Sequence, residues 1–152
     1  MMQLSHDATG RQKPPSILSM IGDTPLVEVT RLDTGLCQLF LKLENYNPSG
    51  SIKDRIALSM IEAAEADGSL EPGGTIIEAT AGNTGLGLAL IAAAKGYRII
   101  LVIPDKMSQE KIAHVRALGA DVRLTRSDVM RGHPEYYQDM AARLASETPG
   151  SF

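Results

Sequence analysis

The sequence predicts an α/β fold, a parallel sheet flanked by helices, on three observations. From Gly74 onward, short apolar runs alternate with helix-length segments, which is the grammar of βαβ units. The run Ile99-Ile100-Leu101-Val102-Ile103 is apolar at every position, as befits a strand covered on both faces of a parallel sheet. Glycines at 68, 96 and 119 close the intervening segments, where a left-handed residue ends a helix without a Cβ penalty.

Each element follows in order. Residues 1–15 are polar and carry Gly10, Pro14 and Pro15, so they read as a mobile leader. Pro25 to Val29 and Leu39 to Leu43 are short apolar runs separated by Asp33-Thr34-Gly35, an expected antiparallel strand pair. After the turn-rich Asn45 to Gly50, a helix is expected from Ser51 to Asp67, with Ile52, Ile56, Met60 and Ala63 or Ala64 on its inward face. Ser51 is its expected N-cap, with Asp54 completing a capping box. Then come strand Thr75 to Thr80, helix Thr84 to Lys95, strand Ile99 to Ile103, helix Ser108 to Leu118 and strand Asp121 to Thr125. A last helix is expected from Pro134, in its first turn, to Glu147.

Composition narrows the function classes. The 152 residues are 43% hydrophobic and 22% charged, enough for one globular unit with a real core and incompatible with a disordered or collagen-like chain. The longest uncharged stretch, Ala79 to Ala94, is interrupted by Gly82, Asn83, Gly85 and Gly87 and falls short of the ~20 apolar residues that span a bilayer. With 15 Lys plus Arg against 18 Asp plus Glu, no Trp and 2 Phe, there is neither a basic field nor a stacking platform for nucleic acid. A small molecule is the expected partner. One cysteine, Cys37, cannot form an internal disulfide, and the N-terminus lacks the apolar region of a secretory signal, so the expected compartment is the cytoplasm. His6, His114 and His133 have no metal-ligand spacing with one another or with Cys37, and no metal is expected.

Two segments carry candidate chemistry. In Thr80-Ala81-Gly82-Asn83-Thr84-Gly85-Leu86-Gly87, small residues admit a ligand close to the backbone, and the N–H groups at the start of the next helix form an anion site. The same glycines serve equally to pack an apolar helix on the sheet, and the two readings are compatible. A dinucleotide reading fits less well, because Gly82, Gly85 and Gly87 give G-x-x-G-x-G where that fingerprint requires G-x-G-x-x-G. The second segment is Asn47-Pro48-Ser49-Gly50-Ser51-Ile52-Lys53-Asp54-Arg55. An ammonium in the first turn of a helix opposes the N-terminal partial charge, which favours the neutral amine that attacks carbonyls. Against this stands an ordinary surface lysine paired with Asp54 or Glu44. Glu62 with Glu65, and Met107 with Glu110 and Lys111, read as surface.

Together these segments resemble the pyridoxal-phosphate enzymes of the cysteine synthase and cystathionine β-synthase family. The residues that carry the resemblance are Ile21 to Leu26, Lys42-Leu43-Glu44, Pro48 to Arg55, Thr80 to Gly85 and Pro104 to Ser108, in the family's order. The resemblance implies the small domain of a fold-type II (tryptophan synthase β-like) enzyme over residues 45–149, mobile and closing over substrate, with residues 16–44 supplying strands of the large domain. Lys53 would form the internal aldimine with pyridoxal 5'-phosphate, and Asn83 would hydrogen-bond the cofactor. Thr80, Ala81, Gly82, Asn83 and Thr84 would bind the substrate carboxylate. At Ala81 the family's usual serine hydroxyl is missing.

The implied reaction is β-replacement on serine or O-acetylserine through an aminoacrylate. The balance of local likeness lies toward the cystathionine β-synthase branch, with homocysteine as nucleophile, and the alternative is cysteine synthesis from O-acetylserine and sulfide. A homodimer is the implied assembly. The family's glycine-rich phosphate cradle falls after the position of Phe152, so a non-catalytic fragment or binding module is a further alternative.

Overall fold

A computed structural model describes residues 15–80 and 82–152. The leader expected over residues 1–15 lies outside the described residues except for Pro15, and Ala81 lies outside them too. In chain order the elements are β1 (Leu26–Glu28), β2 (Phe40–Lys42), α1 (Lys53–Asp67), β3 (Thr75–Ala79), α2 (Asn83–Lys95), β4 (Arg98–Pro104), α3 (Gln109–Ala117), β5 (Asp121–Thr125) and α4 (Tyr137–Glu147).

β3, β4 and β5 lie side by side in sequence order and run parallel, with Ile77 opposite Ile100 and Leu101 opposite Val122. Both crossovers step one strand in the same direction, and right-handed connections then place α2 and α3 on one face, where they touch. α4 packs on β3 and β4. The pleat sorts β4 accordingly: Ile99, Leu101 and Ile103 join the core with Ile61, Leu88 and Ile91, while the equally buried Val102 points to the opposite face. The α/β class with a helix-flanked parallel sheet is therefore the observed one. Ser151 and Phe152 run along the other edge of β3, where the Phe152 N–H donates to the Thr75 carbonyl at 2.9 Å.

α1 packs along α2 rather than on the sheet, and here the structure corrects the expected inward face. Ala64 is buried as expected, together with Ala57 and Ile61, whereas Ile52 and Ile56 are 50% and 43% exposed. The cause is steric. A Cβ on Gly87 of α2 would lie 3.2 Å from the Ala57 Cβ, the Asp54 Oδ1 and the Lys53 carbonyl oxygen, so the helices touch through their small residues and the larger isoleucines turn outward.

Two helix starts also move. α1 begins at Lys53 because Ser51 and Ile52 form a turn in which the Ser51 hydroxyl accepts from the Lys53 N–H at 3.2 Å. Asp54 does not close a capping box on Ser51. Fully buried, it accepts from the Ser49 N–H at 2.7 Å and from the Ser49 hydroxyl. α4 begins at Tyr137, leaving Pro134 in a preceding turn held by the Asp139 carboxylate, which accepts from the Gly132 N–H at 2.6 Å.

β1 and β2 form the expected antiparallel hairpin, with Val27 opposite Leu41. All of its strand residues are exposed, Leu26 at 62% and Leu41 at 50%.

Candidate active site

The close approach at Gly87 sets the first turn of α1 against the second turn of α2. It brings two helix N-termini together at the C-terminal end of the sheet, where parallel α/β folds place their ligands. Lys53 opens α1 and is half-buried. Among the described residues, no carboxylate lies within ion-pair distance of its amine: Glu44 is engaged by Arg55 and Asp54 by Ser49. The pairing that would make Lys53 an ordinary surface lysine is absent from these residues.

The loop between β3 and α2 supplies the second half. The Thr80 hydroxyl accepts from the Gly82 N–H at 3.3 Å, and the Gly85 N–H donates to the Gly82 carbonyl at 3.2 Å. Gly82 caps α2 with an extended backbone, and Asn83 and Thr84 are its first two residues. An α-helix gives N–H groups at those positions no acceptor one turn back, and its dipole adds partial positive charge. Thr80, Gly82, Asn83 and Thr84 thus stand together around one helix start, with the Asn83 side chain exposed; Ala81 lies outside the described residues. A Cβ at Gly85 would collide with the Thr80 Cγ2 and sit 3.5 Å from the Leu101 Cδ1, so this glycine both packs the helix and shapes the loop.

A cleft of about 210 Å³ runs beside the loop, lined among others by Ser49, Asn83, Glu110, Lys111 and His114. Lys111 also borders a smaller cavity beneath Thr80, Gly85 and Met107. Sequence reasoning put these α3 residues on a solvated surface. The available signal was the spacing of 110, 111 and 114, which shares a helix face, together with the Ser108 cap, whose hydroxyl accepts from the Lys111 N–H at 3.4 Å.

A polar cluster fixes the start of α1 from the hairpin side. Arg55 grips Glu44 with two N–H groups, at 2.9 and 3.0 Å. The Thr24 hydroxyl donates to the same carboxylate at 2.7 Å and the Asn47 amide at 3.0 Å. The Asn47 side-chain Oδ1 accepts from the Gly22 N–H at 2.8 Å, and the Lys42 amine donates to the Thr24 carbonyl. Thr24 and Asn47 are 5% and 3% exposed. Hydrogen bonds from Arg55 and Thr24 hold the Glu44 carboxyl at a pKa of about 2, below its ordinary 4.5.

Comparison with known proteins identifies the family. Residues 17–152 match the family described as pyridoxal-phosphate dependent enzyme, and the chain belongs to that family. It is 52% identical over 140 residues to cystathionine beta-synthase of Rattus norvegicus, covering 90% of this chain and 25% of that protein. It is also 52% identical over 136 residues to cysteine synthase of a Flavobacterium strain, covering 89% of this chain and 43% of that one. Among solved structures, a hydrogen sulfide-producing enzyme from Fusobacterium nucleatum superposes with a TM-score of 0.82 at 42% identity, over 92% of this chain and 45% of its own. O-ureido-L-serine synthase superposes with a TM-score of 0.81 at 41% identity, over 87% and 41%. The chain thus spans between a quarter and under half the length of these relatives.

The donor set fits the carbonyl end of the family's cofactor. Lys53 offers a primary amine without an ion-pair partner among the described residues, Asn83 an exposed amide, and the start of α2 an anion site. No group of three or more His, Cys, Asp or Glu side chains among the described residues could hold a metal. No described helix is long and apolar enough to cross a membrane.

Proposed function

We propose that the protein is part of a β-replacement enzyme acting on serine or O-acetylserine, with homocysteine as the nucleophile and cystathionine as the product. The observation that carries this reading is the meeting, at Gly87, of the helix start bearing Lys53, whose amine has no ion-pair partner among the described residues, with the helix start bearing Asn83. Pyridoxal phosphate, when bound, supplies an electron sink for the carbanion at the substrate Cα. In this reading Lys53 would hold the cofactor through its carbonyl carbon, and once the amine of the amino acid has displaced it there, the freed Lys53 amine would take the α-proton. The Asn83 amide donates to a cofactor oxygen. The loop of Thr80, Ala81, Gly82, Asn83 and Thr84 orients the substrate carboxylate through N–H groups and the α2 dipole. The leaving group departs from Cβ, and the thiol adds there.

The equal identity to a bacterial cysteine synthase favours a second reading, with sulfide as nucleophile and cysteine as product. Residues 45–149 would act as a small mobile unit that closes over substrate, and residues 16–44 as strands of a larger one. The exposed apolar hairpin supports that division and supports association as a homodimer. The single exposed Cys37 suits a reducing cytoplasm.

The test is borohydride reduction of the protein with pyridoxal phosphate, followed by peptide mapping. A phosphopyridoxyl label on Lys53 is expected, and a label on another lysine overturns the assignment. Product analysis with homocysteine against sulfide separates the two nucleophiles.

A further inference from the structure

The polar cluster around Glu44 has no part in the chemistry above, yet it grips Arg55, two residues after Lys53. Arg55 is held by both carboxylate oxygens of Glu44. Asn47 lies at the start of the loop leading to Lys53. Its amide hydrogen-bonds the Glu44 carboxylate and the Glu44 carbonyl, the latter at 2.9 Å. Thr24 opens the hairpin and donates to Glu44, and the Lys42 amine closes the hairpin onto the Thr24 carbonyl. Gly22 has a positive φ of +92°, and a Cβ there would lie 3.1 Å from the Arg55 Nη1, so the segment presses directly against the guanidinium. Four donor groups from three side chains, Arg55 in the first turn of α1 and Thr24 and Asn47 outside it, converge on one carboxylate, and a bidentate Arg–carboxylate fork fixes orientation as well as distance.

We propose that Glu44 is a positioning residue: with Arg55, Thr24 and Asn47 it latches the β1–β2 hairpin to the first turn of α1 and so holds the Lys53 amine in its reactive place. The inference rests on the reading of Lys53 as the cofactor lysine. The same helix carries its own control. At its far end Glu65 pairs with Lys95 at 2.6 Å and accepts from the Tyr97 hydroxyl at 2.7 Å. That tie is likewise an ion pair to a partly buried carboxylate but lies about three helical turns from Lys53.

The experiment measures the rate at which pyridoxal phosphate and borohydride label Lys53 in the protein and in its Glu44→Gln, Arg55→Lys and Glu65→Gln variants. Thermal unfolding is followed in parallel. Loosening a reactive group costs rate steeply, so Glu44→Gln is expected to slow the labelling of Lys53 about tenfold. Arg55→Lys, which keeps the charge but loses the fork, should fall between Glu44→Gln and the unaltered protein, and Glu65→Gln should stay within about twofold. Should Glu44→Gln fail to fold, Thr24→Val removes one donor only and is expected to slow labelling by about threefold. Labelling of Glu44→Gln or Thr24→Val at the unaltered rate, or an equal slowing by Glu65→Gln, overturns the proposal. A label on a different lysine in the unaltered protein overturns instead the reading on which it rests, so the two failures are distinct.

Discussion

The β1–β2 hairpin and the β3–β4–β5 sheet are built from similar residues and end in opposite environments. Leu101 in the sheet is fully buried, while Leu26 in the hairpin is 62% exposed. The sheet is held by apolar burial beneath helices that the same stretch of chain provides. The hairpin is held chiefly by polar groups, Thr24, Lys42, Glu44 and Asn47, that Arg55 ties to α1. Stability in this molecule therefore resides in the sheet and its helices, and the hairpin contributes position.

The largest break in that contrast is a cavity in the sheet. Leu101→Ala removes a side chain with no exposure from the centre of the core and is expected to cost about 2–5 kcal/mol, measured as a lower urea midpoint with unchanged slope. A slope that falls with it would show that the sheet and the rest of the chain no longer unfold together.

A smaller effect is expected where sheet and site meet. Gly85→Ala gains up to about 1 kcal/mol of helix propensity, but the new methyl meets the Thr80 Cγ2. Overpacking of that kind costs about 1–3 kcal/mol. The net expectation is a loss of roughly 1 kcal/mol. It comes with displacement of the Thr80 hydroxyl from the Gly82 N–H, read by calorimetry as weaker binding of serine to the holoenzyme. A variant more stable than the parent would show that Thr80 turns aside without strain.

The tie between hairpin and helix is tested by pH. Glu44 has a folded pKa of about 2 against an ordinary 4.5. A depressed carboxyl contributes stability that is complete above the ordinary value and is lost as pH falls through the folded one. The gap in urea midpoint between the protein and Glu44→Gln should thus be full near neutral pH, shrink below about 4.5 and close near 2. A gap that does not change with pH would mean that Glu44 acts through shape and not charge.

These regions also differ in how far the sequence discloses them. The parallel unit was legible because its signals are local: an unbroken apolar run, a glycine after each helix, a serine before α3. The helix starts at the site were legible only to within two residues, since α1 begins at Lys53 and not Ser51, and α2 at Asn83 and not Thr84. The inward face of α1 was not, since hydrophobic size points to Ile52 and Ile56, whereas the packing partner is a glycine on another helix that rewards Ala57. The Glu44 cluster was hidden because its members are polar, and Thr24 stands 31 residues from Arg55. No periodicity links them. Glu110, Lys111 and His114 resembled any solvated helix face until the fold set that face beside Asn83.

The smallest expected effect bears most directly on what the hairpin is for. Leu26→Ala alters a side chain that the chain itself leaves 62% exposed, and substitutions at such positions usually stay within about 0.5 kcal/mol. In the 152 residues alone, the urea midpoint should barely move, in contrast to Leu101→Ala. Exposed Val27, Phe40 and Leu41 make the hairpin too apolar to be an ordinary solvent face. If it serves as a seat for further structure, the same substitution should become costly, by about 1–3 kcal/mol, once that structure is present. A cost that stays near zero in both settings would leave the hairpin as no more than the arm that holds Glu44 against Arg55.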